Sequence, residues 1–203
     1  MAVQLFSSNK GDILSSALPS DTAALAGGSL PSGSNVKESG DLWMQTPAGG
    51  LAPAITNADV VVATALIPAG AFDIANRCIT ITVNGNFAAN SNNKTVKIIV
   101  APTTAIIGSA IVGGTTIAST GVVTTSGSAW AIGADVVKTG ATGSNTQTAI
   151  HLPTQVGAAV PSLTPCQALS LVESGSILVA ITINNPTTAS DATLWNFQGE
   201  WFN

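Results

Sequence analysis

Charged residues are scarce in this chain, and their scarcity argues against several classes of protein. Only 8% of the 203 residues are Asp, Glu, Lys or Arg, against about 25% in an ordinary soluble domain. The six Lys and Arg residues are scattered singly and the formal net charge is −4, so we expect no basic surface for nucleic acid. The polar surface must come instead from Thr, Ser, Asn and Gly.

Long apolar runs are also missing, although 45% of the residues are hydrophobic. A membrane-spanning helix needs roughly 18 uncharged apolar residues, whereas the longest apolar stretch, residues 60–67, is interrupted by Thr64 and followed by Pro68. The N-terminal residues lack a basic leader followed by an apolar core, so we expect no signal peptide. The sequence therefore predicts a protein that has no membrane partner and stays where it is made.

Residue types that carry catalysis are few. His151 is the single histidine, and a lone histidine at a predicted strand end is typical of a structural residue. The ten acidic residues are dispersed, with no pairing suited to a metal ion or to acid–base catalysis. No serine occupies a nucleophile elbow, and the glycine pairs lack the lysine of a phosphate loop. We therefore expect no enzyme activity, no cofactor and no metal.

The two cysteines, Cys78 and Cys166, leave two interpretations open. In a reducing cytosol they are free thiols, whereas in an oxidising compartment they could form a disulfide, as in a secreted, pilin-like adhesin subunit. The lack of a recognisable signal peptide favours free thiols.

Residues 1–56 differ in pattern from the remainder of the chain. Gly and Pro recur, alternation is weak, and one short helix is predicted over residues 20–26. Such a segment has no core of its own, yet it carries several apolar side chains, which favours an extended arm that lies against a partner over a disordered tail. The arm residues predicted to make contacts are Leu5, Phe6, Leu14, Leu42 and Trp43.

Residues 57–203 show the alternation typical of strands. In CITITV, Ile79, Ile81 and Val83 alternate with threonines, which predicts a half-buried strand, and Asn84-Gly85-Asn86 then predicts a tight turn or bulge. Many short strands without helical periodicity indicate an all-β antiparallel sandwich or barrel. The other predicted strands span 58–67, 95–100, 105–112, 115–125, 128–138, 146–152, 176–184 and 192–202, with a crossover loop over 153–165.

The final predicted strand concentrates aromatic residues. In LWNFQGEWFN, Trp195, Phe197 and Trp201 would share one face of a regular strand. These rings could fill the core, form a subunit contact or provide a platform for stacking a sugar. We expect core filling for some of them and a partner or subunit contact for others.

Several segments together resemble a known family. They are ATALIPAGAF, RCITITVNGNF, the loop AANSNNK, TVKIIV, DVVKTGATGSNTQT and the terminal EWFN. Over residues 55–203 the chain resembles the jelly-roll virion proteins of tailed bacteriophages, a group that includes capsid decoration (cement) proteins, head fibres and tail appendage domains.

The resemblance implies a jelly-roll-like antiparallel β-sandwich with an extended N-terminal arm, in a virion assembled in the host cytoplasm. It implies a homo-oligomer, with a trimer favoured, that binds the major capsid protein, and the function expected first is capsid decoration. The alternative is a receptor- or glycan-binding module of a head or tail fibre. That alternative requires an exposed aromatic residue near Asn or Asp, and Trp130 and Trp201 are the predicted candidates.

Overall fold

The computed structural model describes residues 39–45, 56–124, 127–157 and 166–202. This part of the chain forms strands and connecting loops, with no helix among the described residues. The strands are β1 (Ser39–Gln45), β2 (Thr56–Ile67), β3 (Cys78–Phe87), β4 (Thr95–Val100), β5 (Thr115–Ser119), β6 (Ala129–Lys138), β7 (Gln147–Val156), β8 (Gln167–Leu169), β9 (Ile177–Asn185) and β10 (Ala192–Phe202).

The strands pair into two antiparallel sheets. The six-stranded sheet has the order β1-β10-β3-β6-β7-β8, and the four-stranded sheet has the order β2-β9-β4-β5. Strands β1 to β4 alternate between the sheets, β4 and β5 are neighbours in the smaller sheet, and β6, β7 and β8 are neighbours in the larger one. The predicted all-β antiparallel sandwich is therefore confirmed.

The core lies between the two sheets and follows from the alternation in the sequence. In β3, Ile79, Ile81 and Val83 are buried while the intervening threonines are half-buried, because successive side chains of a strand point to opposite faces. Phe87 at the end of this strand lies 5.8 Å from Trp130 between ring centroids. Apolar residues from both sheets complete one continuous cluster.

Strand β1 lies within the segment that was predicted to be an arm. It pairs with β10 at the edge of the six-stranded sheet, and its register places Trp43 opposite Gly199. The absent side chain of Gly199 leaves room for the indole, since a Cβ there would lie 2.5 Å from Trp43 Cη2. Trp43 also meets Phe197 edge-on at 5.2 Å. The predicted helix over 20–26 lies outside the described residues.

Three local predictions are wrong. Asn84-Gly85-Asn86 forms no turn but continues β3. The segment 105–112 makes isolated bridges only, and the predicted crossover loop over 153–165 begins within β7, which extends to Val156. Each error has the same origin, because the partner strand that decides the local structure is distant in sequence.

Residues 101–114, here called the covering segment, lie over the outer face of the four-stranded sheet. The segment leaves β4 and reaches the free edge of β2, where Val61 N–H donates to Ser109 O and Ile111 N–H donates to Asp59 O. To reach β2 from β4 it must cross β9, whose Ala180 and Thr182 are fully buried. The sheet face and its edge strand are thus covered by the same chain.

Candidate functional site

A bulge in β10 presents Trp195 on the outer face of the six-stranded sheet. The register pairs Leu194 with Gly85 and Asn196 with Asn84, so Trp195 is an extra residue without a partner in β3. Bulges bend a strand and redirect the side chain at the irregularity. Leu194 is buried in the core, whereas 47% of Trp195 is exposed.

Trp195 forms one wall of an open groove of about 360 Å³ on this outer face. The groove extends over β10, β3, β6 and the end of β7. Ala129 and Ala131 provide a low floor because both are exposed and carry only a methyl group. The complete lining is Asn84, Gly85, Ala129, Trp130, Ala131, Gln155, Gly157 and Trp195.

Gly85 is needed at the base of this groove because of close packing. A Cβ at this position would lie 1.9 Å from Thr193 O and 2.4 Å from Trp130 Cζ2, both far inside van der Waals contact. Trp130 is buried beneath the groove, and its indole N–H has no hydrogen-bond partner among the described residues. The glycine therefore allows β10 and the Trp130 ring to approach β3.

Two carboxamide side chains, Asn84 and Gln155, complete the lining. Within the described part of the chain, no hydrogen bond engages either side chain, so their donors and acceptors remain available to a ligand. No residue of the lining is charged. An apolar indole beside neutral hydrogen-bonding groups suits a ligand with one apolar face and several hydroxyl groups.

The aromatic residues of β10 do not share one face, because the bulge shifts the alternation. Phe197 is fully buried and has no surface left for a partner. Trp201 is half-buried, and the guanidinium of Arg77 lies 5.1 Å from its ring centroid, which is a cation–π geometry. Asp73 forms an ion pair with Arg77 at 2.6 Å. Of the three aromatic residues that were predicted to share a face, Trp195 is the most exposed.

Of the two predicted glycan-stacking candidates, Trp130 is wrong, because it is buried in the core. Trp201 is half-buried with Arg77 over its ring, and a stacking role for it stays a prediction. Sequence reasoning missed Trp195 as the stacking residue because it assumed regular alternation along β10. The bulge that exposes Trp195 is visible only in the pairing of β10 with β3.

Of the predicted arm contacts, two lie in the described part of the chain. Leu42 and Trp43 are half-buried in β1 and pack against the core cluster. Leu5, Phe6 and Leu14 lie outside the described residues. A partner-binding role for these positions stays a prediction.

His151, Cys78 and Cys166 belong to no site that the described residues reveal. His151 is buried and shares a hydrogen bond of 2.7 Å with Thr154 Oγ1, and desolvation lowers its pKa. Both cysteines are free thiols, and burial raises the pKa of Cys78 to about 11 while Cys166 is exposed. In the described ranges, no cluster of His, Cys, Asp or Glu could hold a metal ion.

No helix in the described part of the chain is long and apolar enough to cross a membrane.

No protein-family model matches this chain, and no curated protein matches it. Among solved structures it is similar to one described as the CBM2 module of Lactobacillus casei BL23 phage J-1 evolved Dit. That alignment has a TM-score of 0.39 and 9% identity, and it covers 82% of this chain and 97% of the other. A likeness at this level assigns no function.

Proposed function

We propose that the protein is a non-enzymatic structural component of a tailed-phage virion that binds carbohydrate through the Trp195 groove. The virion assignment rests on the sequence segments that resemble the phage jelly-roll proteins. The carbohydrate assignment rests on one observation: an exposed indole, raised by a bulge, stands beside the amides of Asn84 and Gln155. This is the glycan-binding alternative of the sequence analysis, with Trp195 as the stacking residue in place of Trp130 or Trp201.

The chemistry of the groove supports a neutral sugar. Sugar rings present C–H groups on one face, which pack on the apolar indole, and hydroxyl groups at their rim, which hydrogen-bond to carboxamides. The absence of charge in the lining gives no counter-charge for an acidic sugar. The floor of Ala129 and Ala131 leaves space for a ring to lie flat across β6.

Affinity electrophoresis in gels containing neutral polysaccharides, including the polysaccharide fraction of bacterial cell walls, tests this proposal. The wild-type protein should be retarded, and Trp195→Ala should lose at least about tenfold in affinity, which corresponds to about 1.4 kcal/mol. Trp195→Phe should retain part of the binding because it keeps an aromatic face.

Ile150→Ala is the matched control for this experiment. Ile150 is an exposed apolar residue of the same sheet but does not line the groove, so the variant should bind like the wild type. Equal retardation of wild type and Trp195→Ala would refute the groove as the binding site, as would the absence of retardation in every neutral polysaccharide.

Capsid decoration is the second candidate. It is supported by exposed apolar residues on the covering segment, namely Ile106, Ile107 and Val112, because such side chains are suited to burial against a partner. The partner would be the major capsid protein, and the protein would act as a homo-oligomer, with a trimer favoured.

Co-sedimentation with capsid shells of the same virus tests this candidate, together with native mass spectrometry for the oligomeric state. Ile106→Ser combined with Ile107→Ser should release the protein from the shells while leaving polysaccharide binding unchanged. Failure of the wild type to co-sediment would exclude decoration.

A further inference from the structure

Three polar side chains with complementary chemistry are sealed inside one end of the sandwich. Lys138 ends β6 and Gln147 begins β7, and the antiparallel register places them directly opposite each other. Glu173 joins them from the loop between β8 and β9. The exposed fraction of the surface is 0% for Lys138, 1% for Gln147 and 5% for Glu173.

One carboxylate oxygen binds both the amine and the amide. Glu173 Oε1 accepts hydrogen bonds from Lys138 Nζ and from Gln147 Nε2, the second at 2.5 Å. Two nitrogen atoms that share one acceptor lie within about 6 Å of each other, given ordinary hydrogen-bond lengths. A nucleophile, an amide and a proton carrier therefore meet at one oxygen atom.

The carbonyl of the amide is also held by a donor. Leu171 N–H donates to Gln147 Oε1 at 2.8 Å, and Gln147 Nε2 donates to Leu171 O at 3.2 Å. These two bonds fix the plane of the amide. A backbone N–H on a carbonyl oxygen stabilises the negative charge that develops when a nucleophile attacks the carbon.

The second carboxylate oxygen is fixed by the β6–β7 loop. Glu173 Oε2 accepts from Gly143 N–H at 3.0 Å, and Glu173 N–H donates to Asn145 Oδ1 at 3.0 Å. The carboxylate is thus held from both sides, and its position does not depend on Lys138 alone. Preorganisation of this kind is what a positioned proton carrier requires.

We propose that Lys138 and Gln147 form an intramolecular isopeptide bond, with Glu173 as the proton carrier. Glu173 accepts a proton from the Lys138 ammonium, and the neutral Nζ attacks Gln147 Cδ. The negative charge on Gln147 Oε1 is stabilised by Leu171 N–H, and Glu173 transfers the proton that Nε2 needs to leave as ammonia. Nζ then loses a second proton to Glu173 as it becomes the nitrogen of the new amide, so that Glu173 ends protonated and uncharged. The Nζ–Cδ bond forms and the Cδ–Nε2 bond breaks, so no oxidant, reductant or other reactant is consumed.

Burial favours this reaction in two ways. Two charges without water are costly even when paired, and the reaction replaces the ammonium, the carboxylate and the amide by a neutral linkage, a protonated Glu173 and released ammonia. Exclusion of water also prevents hydrolysis of the intermediate. The bond would link β6 covalently to β7 in a chain whose two cysteines are free.

Mass spectrometry of the intact wild-type protein tests the proposal directly. The expected mass is lower than the sequence mass by one ammonia. Because Lys138 is the last Lys or Arg of the chain, trypsin acting on the denatured protein should release residues 98–203 as one piece. Without the bond, residues 98–138 and 139–203 would separate.

Lys138→Arg and Glu173→Gln are the diagnostic variants, and both should have their full sequence masses. Asn84-Gly85 could also lose ammonia by forming a succinimide, but that loss would persist in Lys138→Arg and would leave 98–138 and 139–203 as separate peptides. A wild-type protein with the full mass and normal cleavage after Lys138 refutes the proposal. An ammonia loss that is equal in the wild type and in Lys138→Arg, with 98–138 and 139–203 released as separate peptides from both, refutes it as well.

Discussion

The two outer faces of the sandwich differ in what lies on them. The outer face of the four-stranded sheet is covered by residues 101–114, which bury Ile99 and pair with β2. The outer face of the six-stranded sheet has no such cover among the described residues and carries the Trp195 groove. One face is thus completed by its own chain, whereas the other is available to a ligand.

The two outer faces therefore differ in role, although both are faces of antiparallel sheets: one is covered by the chain itself and the other carries the groove. The covering segment hides Ile99, which points away from the core that holds its neighbours Ile98 and Val100. On the open face, small and polar side chains surround a single raised indole. The ligand site therefore arises where the chain provides a bulge instead of a cover.

Among the substitutions that test this difference between the two faces, Gly85→Ala should have the largest effect on the free energy of unfolding. Its Cβ would overlap Thr193 O, a backbone atom that cannot move without shifting β10, so we expect a loss of about 3 kcal/mol or more in the free energy of unfolding. Gly175→Ala is the control, because nothing lies within 4 Å of that position. Denaturant unfolding measures both, and a stable Gly85→Ala would contradict the close packing under the groove.

A matched pair of isoleucines tests the cover itself. Ile99 is 4% exposed under the covering segment, whereas Ile150 is 39% exposed on the open face. We expect Ile99→Ala to cost about 3 kcal/mol and Ile150→Ala less than about 1 kcal/mol in the free energy of unfolding. Equal losses in urea titrations would mean that the segment does not bury Ile99 in solution.

The smallest expected effect is a dependence of stability on pH through His151. Desolvation lowers its pKa below the usual 6.5, so the folded protein resists protonation while the unfolded chain binds the proton. The free energy of unfolding should therefore be fully retained above pH 6.5 and should decrease as the pH falls below 6.5.

His151→Gln is the control for this pH dependence. Unfolding midpoints at about pH 7.5 and about pH 5.5 should differ more in the wild type than in the variant, because Gln does not titrate in this range. If His151→Gln shows the same difference between the two pH values as the wild type, the pH dependence arises from other titratable groups.

Much of the fold was predictable because strand alternation is a local property. The strand 95–100 was predicted with the bounds that the structure has for β4, and 192–202 with those of β10. The pairing of 39–45 with β10 was not predictable, because Trp43 depends on Gly199 at the far end of the chain. The three-residue β8 is likewise too short to carry a pattern.

The sequence predicted an aromatic contact site in β10 but not which residues form it. The concentration of aromatic residues in β10 identified Trp195 as a candidate contact, but the regular period of two grouped it with Phe197. The extra residue at the bulge separates these two rings, and its position follows from the register between β10 and β3. Asn84 and Gln155 join Trp195 from strands that are remote in sequence.

The sequence alone therefore determined the all-β class, the sandwich and most strand positions, since these depend on the spacing of apolar and β-branched residues along the chain. Only the tertiary structure decided which outer face is covered, which tryptophan is exposed and which polar residues meet at Lys138. These features depend on strand register and on contacts between distant segments, and the local pattern of side chains does not encode either of them.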